Sequence, residues 1–164
     1  MKFKNETQLK NFLMQKCRAA VAGTEQKVHS IIDKCLQQYY NEFEPEEYIR
    51  MYQLLHSLVK GKVEKVGNGY KAEVYFNVNG IHYQNGYVPI KSTETTGRYG
   101  YANWDTDTIL DVVMTGSYSG LPHGGHAKGT AIWSKSQAMI RTLGGIYEML
   151  ERELAMIGVP IVRK

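Results

Sequence analysis

The residues of this chain that could most directly do chemistry are His123 and His126, in the stretch GLPHGGHAKGTAIW at residues 120–133. Two imidazoles can share one metal ion, but a protein metal site needs further ligands. No cysteine is near them in the sequence, and the nearest aspartates are only loosely local: Asp105, Asp107 and Asp111. We predict no metal and no cofactor here. A small metal-dependent hydrolase or nuclease that uses the two histidines stays open as an alternative.

The other sequence signals of catalysis are equally weak. The residues around Lys128 lack the Gly-x-x-x-x-Gly-Lys-Ser/Thr spacing of a phosphate-binding loop. Ser117 and Ser119 lack the strand and helix that surround the serine of a nucleophile elbow. Cys17 and Cys35 fall on the apolar face of a predicted helix, where a thiol packs as a small hydrophobe. We therefore predict no catalytic residue, and that the protein is not an enzyme.

Residues 91–130 form a predicted loop region rich in glycine and tyrosine. Five of the fifteen residues from Thr115 to Gly129 are glycine, which favours a surface loop. Tyr, Trp and Arg on such loops anchor protein interfaces because they bury a large area at low rotamer cost. Trp133, just beyond, is expected to pin the loop to the body of the protein. We predict a protein interface formed by eight residues: Arg98, Tyr99, Tyr101, Trp104, Tyr118, His123, His126 and Lys128.

The charge balance and hydropathy exclude several classes of partner. The net charge is +4 over 164 residues, too small and too scattered for the basic stripe of a nucleic-acid-binding domain. We therefore expect no sequence-specific nucleic-acid partner. The first residues have no apolar core of a signal peptide, and no stretch approaches 18 apolar residues. This predicts neither secretion nor a membrane span.

The N-terminal part of the chain predicts one long helix. Apolar residues recur at steps of three and four, which predicts a helix over residues 6–40. Asn5 followed by Gln8 is typical of a capping box at its start. Such a helix is about 50 Å long, whereas a compact globule of this size is about 40 Å across. Either the helix bends at Gly23, or another subunit covers part of its apolar face.

The middle of the chain, residues 48–90, predicts a small antiparallel sheet of three to four strands. Residues 46–59 are assigned to a loop that leads into a strand. Alternating apolar and polar residues predict strands over 60–66, 69–78 and 81–90. Turn signals at Gly67-Asn68-Gly69 and at Asn79-Gly80 separate them.

The C-terminal part predicts a second long helix, over residues 134–157. Ser134 or Ser136 is the expected cap, and Gly158 followed by Pro160 is the expected end. No linker or internal repeat divides the chain. We predict a single α+β domain, residues 1–164: a long N-terminal helix, a small antiparallel sheet, the loop region and a C-terminal helix.

This order of elements resembles the tail-completion, or head–tail joining, proteins of long-tailed phages and prophages of Gram-positive bacteria. In that family a helix leads into a P-x-x-Y-x-R-T-x-x-L-x-x-S stretch. Met51 stands here where threonine is usual, and the other matching residues are Pro45, Tyr48, Arg50, Leu54 or Leu55, and Ser57.

The resemblance implies a structural virion protein, a subunit of a ring that is often six-fold. Its partners would be further copies of itself and the neighbouring phage neck and tail proteins. It would be located in the virion, and in the host cytoplasm during assembly. The family offers no catalytic residues. A module that binds a host protein is a further alternative.

Overall fold

The structure, a computed structural model, describes residues 2–42, 52–81, 132–159 and 161. The chain divides into two compact units. Unit 1 comprises Met1–Ile31, Leu58–Tyr75 and Gln137–Lys164, and unit 2 comprises Ile32–Ser57 and Phe76–Ser136. The described residues combine helices with small antiparallel sheets, which confirms the α+β class. No helix in these ranges is long and apolar enough to cross a membrane.

The long N-terminal helix, α1, spans Glu6–Asn41 and confirms the prediction over 6–40. The backbone N–H of Gln8 donates to Asn5 Oδ1 at 2.9 Å, so Asn5 caps the first turn. The side chain of Gln8 returns the bond to the N–H of Lys4 at 3.0 Å, one residue earlier than in a standard capping box. The helix continues through Gly23 without a break, and its 36 residues give a length of about 54 Å.

The predicted single sheet is wrong: the described strands form two sheets of two strands each. β1 (Leu58–Lys60) pairs with β4 (Val74–Phe76), and β2 (Glu64–Val66) pairs with β3 (Gly69–Lys71). The predicted strand over 69–78 is thus two strands, because Ala72 and Glu73 interrupt it and each half takes a different partner. The predicted strand over 81–90 lies outside the described residues except for Ile81.

The hairpin between β2 and β3 confirms the turn predicted from the sequence. The strands are antiparallel, and Val66 lies opposite Gly69, so Gly67 and Asn68 form a two-residue turn. Gly67 has a φ of +56°. A positive φ at the first central residue alone fits a type II′ turn, whose twist matches that of the flanking strands.

The segment before β1 is a short helix, α2 (Gln53–Ser57), and not the predicted loop. The ring of Tyr52, just before it, lies 5.2 Å from the ring of Tyr40. Beyond β4, the backbone N–H of Asn77 donates to the carbonyl of Ser57 at 2.7 Å. Val78–Gly80, where a turn was predicted, forms one turn of 3₁₀ helix.

The predicted C-terminal helix over 134–157 is two helices, α3 (Ile132–Thr142) and α4 (Gly145–Met156). Gly144 and Gly145 have φ values of +89° and +82°, which the interior of a right-handed helix does not accommodate, so one helix cannot run through them. The predicted serine cap is also wrong, because the hydroxyl of Ser136 is buried inside α3 and donates to the carbonyl of Ile132. The predicted end is confirmed: Gly158 has a φ of +82°, and bonds from Gly158 and Val159 back to Ala155 and Leu154 form a Schellman motif.

Both units contain buried apolar side chains. In unit 1 the buried apolar residues are Ala20, Ile31, Leu58, Met149 and Leu154, and in unit 2 they are Ile32, Cys35, Leu36 and Ile132. Of the two cysteines, Cys35 is buried as expected, but Cys17 is exposed. The difference arises because the apolar face of α1 is not covered along its whole length.

Candidate interaction surfaces

The predicted interface residues lie outside the part of the chain that the structure describes. These are Arg98, Tyr99, Tyr101, Trp104, Tyr118, His123, His126 and Lys128. Trp133, the residue expected to pin this loop, is described and lies in the first turn of α3 with 48% of its surface exposed. The adjacent Ile132 is fully buried.

The described residues contain no group of three or more His, Cys, Asp or Glu side chains that could hold a metal ion. A depression of about 450 Å³ lies beside the β2–β3 hairpin. Its charged lining consists of Lys62, Lys71, Glu64 and Glu73, so cations and carboxylates balance. A hydrogen bond from Lys71 to Glu73, with the charges of Glu73 and Glu64, raises the pKa of Lys71. The lysine is therefore an ammonium group and not a general base.

The first turns of α1, fewer than four, and the residues before them form a surface in which no described residue is buried. We call residues 2–18 the N-terminal arm. Every residue from Lys2 to Ala19 is exposed or half-buried, and Ala20 is the first buried one. Leu9 and Leu13 are each 39% exposed. An amphipathic helix in a monomer normally buries its apolar stripe, but this stretch buries no residue in the part of the chain that the structure describes.

The arm continues a face of α1 that is buried further along. At 100° per residue, Leu9, Leu13, Ala20, Thr24 and Ile31 fall within a sector of about 60°. The last three are buried in unit 1, whereas the two leucines are not. The apolar period is thus the same along this face of α1, and only the burial of its side chains differs between the arm and the rest of the helix.

The arm also carries the whole net charge of the protein. It contains one acidic residue, Glu6, and five basic residues, Lys2, Lys4, Lys10, Lys16 and Arg18, for a net charge of +4. The rest of the chain contains fifteen basic and fifteen acidic residues. Lys16 lies over the ring of Phe12 at 5.3 Å, and the same ring lies 5.2 Å from that of Phe3. The arm is therefore both apolar and cationic.

A second exposed apolar surface lies at the bend between α3 and α4. We call residues 143–148 the elbow. Leu143 and Ile146 are 41% and 54% exposed, and Tyr147 is 84% exposed. The carboxylate of Glu148 lies against Gly144, where no Cβ would fit, and it accepts a bond from Arg152 at 3.2 Å. The backbone conformation of the two glycines and this contact together determine how α4 is oriented relative to α3 at the bend.

A polar contact in unit 1 fastens α4 to α1. The Lys27 ammonium lies 2.7 Å from a carboxylate oxygen of Glu153, a residue only 9% exposed. The same carboxylate lies against Gly23, where even a methyl group would collide with it. Gly23 is therefore a point of close approach between α1 and the side chain of Glu153. Nearby on α1, the buried Glu25 has one carboxylate oxygen without a hydrogen-bond partner in the structure.

Neither the N-terminal arm nor the elbow was predicted as a site, although the sequence contains an indication of each. The concentration of charge appears when basic and acidic residues are counted by segment and not over the whole chain. The Gly144-Gly145 pair marks the elbow.

Comparison with known proteins identifies one family. The family model described as YomN matches residues 5–155, nearly the whole chain. YomN is the name of a Bacillus phage- and prophage-associated protein. No curated protein and no solved structure matches the chain.

Proposed function

The chain belongs to the YomN family, a phage-associated family, and we propose that it is a structural protein of the phage particle that acts in tail completion or head–tail joining. We propose further that it works as a subunit of a ring, with six-fold symmetry favoured. Its partners are other copies of the same chain and the neighbouring neck and tail proteins. It resides in the virion, after assembly in the host cytoplasm.

The observation that carries this proposal is the uncovered N-terminal arm. A helix whose first turns bury no residue, but which continues an apolar face buried further along, is suited to contact another protein. The Pro45-to-Ser57 pattern of the joining-protein family gives independent support from the sequence. In this pattern only Leu54, Leu55 and Ser57 lie in the described part of the chain.

The proposal assigns the protein a role through contacts and not through catalysis. The predicted loop interface, including Tyr99 and His123, is proposed to meet a neighbouring ring or subunit. Glycine-rich segments can become ordered on binding, at a cost in affinity but with a large gain in contact surface. The loop and the arm would then be separate surfaces with separate partners.

The test is a deletion of the gene in a phage or inducible prophage that encodes it. The expected result is DNA-filled capsids and complete but unattached tails in electron micrographs, with infectious particles restored by the gene supplied in trans. Normal yields of joined, infectious particles from the deletion would overturn the proposal. Loss of DNA packaging with no free tails would overturn it as well, since that result indicates a role before joining.

A further inference from the structure

We propose that the N-terminal arm of one copy docks on the elbow of the next copy. This contact joins two different surfaces of the same chain, so each subunit uses its arm on one neighbour and its elbow on the other. Such heterologous contacts generate rings when the rotation closes. The inference rests on the ring proposed above and identifies the surfaces that build it.

The charge on the arm argues against the simplest alternative, in which two arms pair with each other. Each arm has a net charge of +4 within 17 residues. Two such arms side by side would place like charges within reach of each other, which destabilises the pair. The partner of the arm should therefore be neutral or acidic, and it should offer apolar side chains to Leu9 and Leu13.

The elbow and α4 meet both requirements. The elbow exposes Leu143, Ile146 and Tyr147, and the exposed tyrosine is the type of residue that anchors interfaces. α4 carries three glutamates and one arginine, but Glu153 is buried beside Lys27, and Glu148, which lies within the elbow, is paired with Arg152. The elbow itself contains no basic residue. It is therefore an apolar surface of neutral to acidic character, which complements an apolar surface bordered by lysines.

The size of the arm indicates how strong one contact can be. About fourteen helical residues give a footprint about 20 Å long and 10 Å wide. This area of about 200 Å² is well below the roughly 800 Å² per partner of a stable interface. A single arm–elbow contact is therefore weak, and the closed ring, in which every subunit makes the contact twice, is the stable species.

Disulfide cross-linking through the exposed native cysteine of the arm, Cys17, tests this contact. Cys17 is exposed and Cys35 is buried, so Tyr147→Cys adds one partner thiol on the elbow. Mild oxidation of the full-length Tyr147→Cys protein is expected to give a ladder of dimers, trimers and higher oligomers on a non-reducing gel. Peptide mass spectrometry is expected to find a disulfide between residues 17 and 147. The ladder should disappear in Cys17→Ser/Tyr147→Cys and in Leu9→Asp/Leu13→Asp/Tyr147→Cys.

Two matched controls separate this contact from other pairings. The unmodified chain exposes only Cys17, so a strong dimer in that chain would indicate arm–arm pairing and overturn the inference. Dimers alone in Cys17→Ser/Tyr147→Cys would indicate elbow–elbow pairing and overturn it too. The circular dichroism of all variants should match that of the unmodified chain, because the substituted side chains are at least partly exposed.

Other outcomes distinguish this inference from the proposed function. A ring that forms without the 17–147 disulfide refutes the docking and leaves the joining role intact. The ladder, combined with joined and infectious particles from the gene deletion, supports the docking and refutes the joining role. Flotation with phosphatidylglycerol vesicles that requires Leu9 and Leu13, without any ladder, would assign the arm to a lipid surface and overturn the docking.

Discussion

The contact between Lys27 and Glu153 makes a quantitative prediction about how α4 is held on α1. Lys27→Gln removes the cation and leaves a carboxylate that is 9% exposed and pressed against Gly23. A hydrogen bond to a charged group contributes about 1.5–3 kcal/mol, and breaking a fully buried pair costs about 3–5 kcal/mol. The side chain of Lys27 is 41% exposed, so water replaces part of the lost interaction. We expect a loss of about 1–2 kcal/mol of unfolding free energy.

The assay is urea and thermal unfolding followed by circular dichroism. For a chain of this length, a loss of 1–2 kcal/mol lowers Tm by about 2–8 °C. Arg152→Gln is the matched control, because it removes an exposed cation from a carboxylate partner, Glu148, at 3.2 Å. Exposed pairs of this spacing contribute about 0.3–0.5 kcal/mol, so its Tm should fall by no more than about 2 °C.

A double-mutant cycle completes the test. Glu153→Gln alone leaves only a partly exposed lysine without its partner, so it should cost less than Lys27→Gln. The double variant should be about as stable as Glu153→Gln, because the uncompensated carboxylate is then absent. If Lys27→Gln were no more destabilising than Arg152→Gln, the description of Glu153 as a buried carboxylate that depends on Lys27 would be refuted.

Three further predictions concern the arm, the elbow and the loop. Asn5→Ala removes the cap of α1 and should cost about 1 kcal/mol of helix stability; hydrogen exchange should rise in the first turns of the arm alone, and a uniform rise would contradict local capping. Gly145→Ala forces a Cβ into a φ of +82° and should cost about 1–2 kcal/mol in urea unfolding, whereas an unchanged midpoint would show that the elbow relaxes. In the predicted loop interface, alanine should replace Arg98, Tyr99 and Tyr101 together. This triple variant should retain the helical circular dichroism but leave capsids and tails unjoined in micrographs. Infectious particles from it would contradict the role of the loop.

The sequence predicts best those elements whose signals are local. The start of α1 follows from Asn5 and Gln8, and the end of α4 follows from Gly158, because caps depend on a few adjacent residues. The two-residue hairpin turn follows from Gly67 and Asn68 in the same way.

The number of strands and the break in the C-terminal helix were harder to predict, for physical reasons. No glycine or proline marks the interruption at Ala72 and Glu73, and strands of three residues contain too few alternations to reveal where one ends. Gly144 and Gly145 did mark the second break. The apolar period nevertheless continues on both sides of them, from Met139 through Leu154, and that period predicts one unbroken helix.

The exposed surfaces could be predicted only in part. The charge of the arm is a property of the sequence, but its exposure is not. Leu9 and Ile31 occupy the same helical face with the same period, yet only Ile31 is buried. Burial depends on which elements pack nearby, and these come from distant parts of the chain.

Native mass spectrometry of the untagged protein is the first test of the ring, because one spectrum reports both the number of subunits and any bound metal. We expect a metal-free closed ring, with the hexamer favoured, that dissociates when Leu9 and Leu13 are replaced by aspartate. A monomer would contradict the ring. A monomer with one zinc or manganese ion per chain would instead favour the hydrolase alternative at His123 and His126.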